Sequence, residues 1–203
     1  MQRRKIILCE GKNDLILLDE LVRIFKYKEN EYKLHRQGET LKFQSKKNED
    51  TLLFRKLEEK SCEWKLLAKS ESGDKPTLKI FSWCRNYLFE DKIVEKIVLW
   101  LDVDRKNLEK IIADIHNRIK DAFGKQKIVL THEKIKEREF ISLHKIFVKT
   151  EEGSELGIFF LLLISPALEE VAKKLFPEKQ EGGAITELSK HQDVQEIFSE
   201  ILR

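Results

Sequence analysis

Cysteine is scarce in this chain of 203 residues: three, at positions 9, 62 and 84. The count is odd and no pair has zinc-ligand spacing, which excludes a disulfide scaffold and a cysteine-zinc centre and argues for a reducing compartment. Long apolar runs are missing as well. The most apolar stretch, Gly157–Ile164, falls far short of the roughly 20 residues that span a bilayer. Met1–Lys5 is basic, but the apolar run behind it stops at Glu10, too soon for a signal sequence. The expectation is a cytoplasmic protein with no membrane partner. A dominant charge sign is absent too, because 39 Lys and Arg nearly cancel 36 Asp and Glu. A net charge of +3 permits nucleic-acid binding only if the basic residues gather on one face. The five histidines, at 35, 116, 132, 144 and 191, also lack zinc spacing and read as structural or exposed. Proline is sparse and the surface rich in Lys and Glu, a composition of heat-adapted or simply well-solvated proteins.

What is present is a set of short, unbroken apolar runs alternating with amphipathic segments. Ile6–Cys9, Ile97–Leu101 and Ile128–Leu130 are continuous rather than alternating, as in parallel strands covered on both faces. Cys62–Ala68, interrupted by Lys65, is a weaker fourth strand. Leu18, Leu21, Val22 and Phe25 form a helical stripe after the first run. Leu108, Ile111, Ile112, Ile115, Ile119 and Phe123 form a longer one after the third strand, ending at Gly124 as a C-cap. Pro76 opens another helix carrying Leu78, Phe81, Cys84 and Leu88. The order β-α-β-α-β-α-β predicts a doubly wound α/β domain with a mainly parallel four-stranded sheet over residues 1–135. Residues 28–60 read as a polar insertion with one short helix. Residues 136–203 read as a C-terminal extension packed on or beside the domain: a hairpin from Ser142–Lys149 and Leu156–Ile164, a helix capped at Ser165-Pro166, a hinge at Glu181-Gly182-Gly183 and a last helix over Asp193–Leu202.

A doubly wound sheet binds ligands at the carboxyl ends of its strands, where strand order reverses. Glu10-Gly11 follows the first strand, with Asp14 one helical turn later, and Asp102 and Asp104 follow the third. Four carboxylates crowded there repel and raise each other's pKa. The usual compensation is a divalent cation such as Mg²⁺, which takes oxygen ligands from one or two carboxylates, waters and phosphates. Gly11, lacking a Cβ, would let backbone amides and a phosphate approach, and Lys12 would add positive charge at the helix start.

Ile6–Asp14, reading IILCEGKND, and Val98–Asp104, reading VLWLDVD, together resemble the Toprim domain, whose signature is Glu-Gly with a following Asp after one strand and Asp-x-Asp after a later one. The resemblance covers roughly Lys5 to Thr131. It implies Glu10 as general acid or base or metal ligand, Asp102 and Asp104 as ligands of Mg²⁺ (or Mn²⁺), and Asp14 as a further ligand of the nuclease type. Lys75, Arg105, Gly11 and Lys12 are the residues expected to meet phosphate. Arg105-Lys106-Asn107 departs from the family, many members of which carry glycine soon after Asp-x-Asp, and this weakens a match to topoisomerases or to the ribosomal-RNA maturase.

The function implied is Mg²⁺-dependent phosphodiester chemistry on DNA or RNA by a small nuclease or processing enzyme. The chain is short for topoisomerase gates, and zinc ligands of primases are absent. The alternative is a non-catalytic clamp or adaptor resembling the RecR proteins, though their cysteine-zinc motif is missing. A receiver-type domain would want a Lys after a fifth strand, and none is evident. A homodimer or a protein partner is compatible with either main reading. Among the remaining candidates, Ser70–Lys75 reads as a turn and helix start. His132-Glu133 follows the fourth strand and comes within reach of the site in that arrangement. Cys9 reads as a buried inert thiol, and Trp64, Trp83 and Trp100 as core.

Overall fold

The computed structural model describes residues 4–36, 46–71, 94–103, 107–120 and 127–203, with side chains of the first helix after residue 45 described from 52 onward. Its frame is one open, mostly parallel sheet of seven strands, where the sequence predicts four. The strands are β1 (Arg4–Cys9), β2 (Tyr32–Arg36), β3 (Leu66–Ser70), β4 (Val94–Asp102), β5 (Ile128–Glu137), β6 (Ile141–Thr150) and β7 (Glu155–Ile164), in the order β2-β3-β1-β4-β7-β6-β5. β2, β3, β1, β4 and β7 run parallel, and β6 and β5 fold back antiparallel. Among the described residues no helix is long and apolar enough to cross a membrane.

Alternation sends neighbouring residues of each strand into two separate layers. Ile7, Cys9, Val98, Trp100, Leu162 and Ile164 pack against α1 (Lys12–Ile24), α4 (Leu168–Leu175), α5 (Glu181–Leu188) and α6 (Gln192–Leu202). Ile6, Leu8, Leu99, Leu101 and Leu161 pack against α2 (Lys46–Glu58) and α3 (Leu108–Ile119). Covering on both faces is why β1 and the core of β4 are unbroken apolar runs, as the sequence suggests. Each fully buried Ile or Leu there contributes about 1.5–3 kcal/mol relative to an exposed one. Polar atoms at the foot of β1 fix its position: Arg4 Nη2 donates to Glu59 O at 3.1 Å and Cys62 O at 2.9 Å, and Lys5 Nζ donates to Leu202 O at 2.8 Å.

Several expectations need correction. β5 is not a covered parallel strand: it is an antiparallel outer strand that continues from Ile128–Leu130 through the polar Thr131–Glu137. The strand expected over Cys62–Ala68 lies at Leu66–Ser70, because Lys65 and the segment before it lead out of α2. The 28–60 segment contributes a helix and also β2, a strand in which only His35 is buried. The hinge at Glu181-Gly182-Gly183 is the first turn of α5, whose Ala184, Ile185 and Leu188 are buried against the core and hold the glycines helical. The cap of α4 is Ala167, one residue beyond the Ser165-Pro166 pair. The hairpin of β6 and β7 forms as expected, and so do α1, α3 and α6. The helix from Pro76 and the cap at Gly124 lie outside the described residues.

Candidate functional site

From β1 the chain crosses through α1 to β2 and returns to β3 on one side, whereas β4 lies on the other. The switch point is therefore the crevice beyond the carboxyl ends of β1 and β4, where doubly wound sheets bind ligands. Residues Leu8 and Leu99 are partners in register, so Glu10 leaves β1 two residues later and Asp102 ends β4 three residues later. Past Asp102 the ladder goes on for one bond, Val103 N–H donating to Ile164 O at 2.8 Å.

Asp14 is the most constrained carboxylate there. It is 4% exposed, and its Oδ2 accepts from Glu10 N–H at 3.0 Å and Gly11 N–H at 2.9 Å. The sequence expects those amides to be available to phosphate; instead they are engaged by Asp14, which reaches back from the first turn of α1. Burial pushes the Asp14 carboxyl well above the usual range, the charge of Asp102 pushes it further, and Glu169 and Glu10 add to that against the opposing Gly11 amide. Trp100, two residues before Asp102 and on the same strand face, packs into the layer that holds α1. Glu10 and Asp102 are half-buried and Lys12 is exposed.

Gly11 is the N-cap of α1 in extended backbone, φ −141°, and a Cβ there would meet nothing nearer than 3.9 Å. The fold alone does not require glycine at this position. Asp104, Lys75 and Arg105 lie outside the described residues, so the second carboxylate of Asp-x-Asp and two of the expected cations have no placement to report.

Three contributors escape the sequence. Asn13, 6% exposed, donates through Nδ2 to Glu169 Oε1 at 2.7 Å and Glu181 Oε1 at 2.8 Å. It thereby ties the first turns of α4 and α5 to the start of α1, bringing two acids of the C-terminal region to the same end of the sheet. An Asn inside a helical stripe and acids over 150 residues away give no local signal. On the other side of β1, Glu71 N–H donates to Cys9 O at 3.0 Å, and Glu71 forms a buried ion pair with Lys69. Burial, with Asp14 and Glu10 nearby, pushes the Cys9 thiol well up, in keeping with an inert cysteine.

The chain matches no protein-family model and no curated protein. Among the described residues no three His, Cys, Asp or Glu side chains are grouped closely enough to hold a metal ion. The donor types at this end of the sheet are nonetheless carboxylate oxygens, the ligands that Mg²⁺ and Mn²⁺ take. A cation nearby offsets the burial and the neighbouring carboxylate that push the Asp14 carboxyl up. His132 does not share the crevice. It stands exposed on β5, three strands from β4, with its ring 5.8 Å from that of His144.

Proposed function

We propose that this protein performs Mg²⁺- or Mn²⁺-dependent phosphodiester chemistry on nucleic acid, as a small nuclease or processing enzyme of Toprim type. The observation that carries the reading is Asp14, desolvated at the switch point and raised further by the charge of Asp102. Buried carboxylates that repel one another are costly unless a cation joins them. In this reading Asp102, with Asp104 two residues on, would hold the cation through hard oxygen ligands, and the cation would supply charge stabilisation to a phosphodiester. Glu10, half-buried just past the end of β1, moves the proton at the attacking or leaving oxygen. Asp14 shapes the turn through the Glu10 and Gly11 amides and contributes negative charge behind the ligands. Lys12, exposed at the start of α1, meets the phosphate backbone.

The test is cleavage of single-stranded DNA, duplex DNA and structured RNA by purified protein with Mn²⁺. At least one is expected to be cut, and Glu10→Gln to abolish cutting while binding persists, because Gln keeps the shape without the proton or full charge. Binding that falls steeply with salt and leaves every substrate uncut would instead make the protein a clamp or adaptor. Metal-dependent cutting that survives Glu10→Gln would move the chemistry to another site.

A further inference from the structure

A cavity of about 320 Å³ lies at the start of α3, bordered by the end of β7 and the start of β6. Its walls are Leu108 at the start of α3, Phe140, Leu163 and the polar residues Asn107, Ser142 and His144. β6 brings His144 there on the face that also presents Ile146 and Val148 to the α2–α3 layer. His144 is 3% exposed, its Nε2 lies 3.1 Å from Ser142 Oγ, and its Nδ1 has no hydrogen-bond partner among the described residues. A buried imidazole nitrogen with an unmet hydrogen bond is rare in a settled core and common where a ligand completes the set.

Charge and size narrow the ligand. Lys134 at the rim is paired with Glu137 at 2.5 Å, and Arg138 is paired with Glu196 and lies 3.8 Å from Asp193. With these cations neutralised, the cavity does not select an anion. Burial pushes the His144 imidazole down, and the nearby His132 and Lys134 push it in the same direction, with Glu137 opposing. The volume suits one flat heteroaromatic group with its sugar and is far too small for a duplex. Apolar walls, one aromatic ring and a polar edge formed by His144 and Ser142 are what an unstacked base needs.

We propose that this cavity holds one unpaired nucleobase, so that the substrate is single-stranded or locally opened nucleic acid. The proposal rests on the nucleic-acid reading above, and it adds that a base is held at the start of α3 while the backbone passes the ends of β1 and β4.

The experiment is a titration of the full-length protein with adenosine, guanosine, cytidine and uridine, followed through the histidine ring resonances, with inorganic phosphate as a second probe. Saturable binding of at least one nucleoside that shifts His144 is expected, and His144→Leu is expected to weaken it by about tenfold or more, the scale of one lost buried hydrogen bond. His144→Leu removes both ring nitrogens with a side chain of similar size, so its melting temperature should hold. Leu108→Trp, which fills the cavity from the helix start, is the second variant and should block the same nucleoside. No nucleoside binding, equal binding by both variants, or binding of phosphate alone overturns the proposal. Nucleoside binding that the variants abolish, in a protein that cuts nothing, supports the pocket and overturns the phosphodiester reading. Cutting that is lost in Glu10→Gln but indifferent to both cavity variants does the reverse.

Discussion

β1 and β5 lie four places apart in one sheet and share little beyond an apolar start. β1 is flanked by β3 and β4, and all six of its residues are buried. Among the described residues β5 pairs with β6 alone, only Ile128 of its ten residues is buried, and Val129 and Ile135 stand 43% and 39% exposed. Place in the sheet, rather than local apolarity, decides what each residue contributes. The charges differ in consequence as well. Lys134 and Glu137 on β5 pair in water and keep an outer strand from joining other sheets. Asp14 at the head of β1 is desolvated, so its charge becomes a liability that a ligand can relieve.

The contrast breaks most easily in the core. Ile7→Ala in β1 is expected to cost about 2–5 kcal/mol, from lost transfer energy and the cavity left behind. Val129→Ala in β5 should cost under about 0.5 kcal/mol. Urea unfolding of the two variants measures both, and similar losses would mean that β1 is less enclosed than described.

Next in size comes the response to metal. Mg²⁺ at a hundred times its dissociation constant should stabilise the protein by about 2.7 kcal/mol, seen as a higher melting temperature. Asp102→Asn combined with Asp104→Asn should abolish the gain, whereas Glu133→Gln with Glu137→Gln on β5 should leave it intact. A gain that survives the first pair and vanishes with the second would move the cation to the outer strand.

Asn13→Ala removes the bridge to Glu169 and Glu181 and should cost about 1.5 kcal/mol in metal-free buffer, the range for hydrogen bonds to charged groups. Lys134→Ala removes only an exposed pair and should change stability by a few tenths of a kcal/mol, or about that. Chemical denaturation of the two side by side sharpens the difference between a buried and a solvated contact.

The smallest effect concerns pH. The folded-state pKa of Asp14 is raised, so the folded protein holds that proton more tightly than the unfolded chain. Its contribution is complete below the unfolded carboxyl pKa, near 4, and is lost as pH rises through the folded value. Without divalent metal, Asp14→Asn should flatten this decline and melt a few degrees higher than the parent at neutral pH. An unchanged pH profile in the variant would show that Asp14 is already ionised without cost.

Much of this arrangement is legible in the sequence where burial is two-sided. Ile6–Cys9 and Ile97–Leu101 announce β1 and β4, and strand-end placement then singles out Glu10 and Asp102. Legibility fails where one face is open. The triplet Ile128–Leu130 looks like a central strand, and only the polar continuation Thr131–Glu137 betrays its position. β2 is hidden because Tyr32–Arg36 carries three basic side chains, counting His35 with Lys33 and Arg36, and buries only the histidine. Gly182 and Gly183 suggest a hinge because local propensity cannot see Ile185 and Leu188 docking on α1 and α4. Asn13, Glu169 and Glu181 meet only once α4 and α5 have packed, so no local pattern marks them.

The place of β7 has a consequence for how the chain is made. β4 pairs with β1 on one edge and with β7 on the other, Asp102 standing opposite Ile164. During vectorial synthesis β4 leaves the ribosome with one neighbour formed and a full row of backbone donors and acceptors unsatisfied, until the segment around Ile164 has cleared the exit tunnel. Pairings so distant in sequence slow folding and lengthen the exposure of an apolar strand edge. For a nascent chain, the interval between translating Asp102 and translating Ile164 is the window in which chaperone protection counts most.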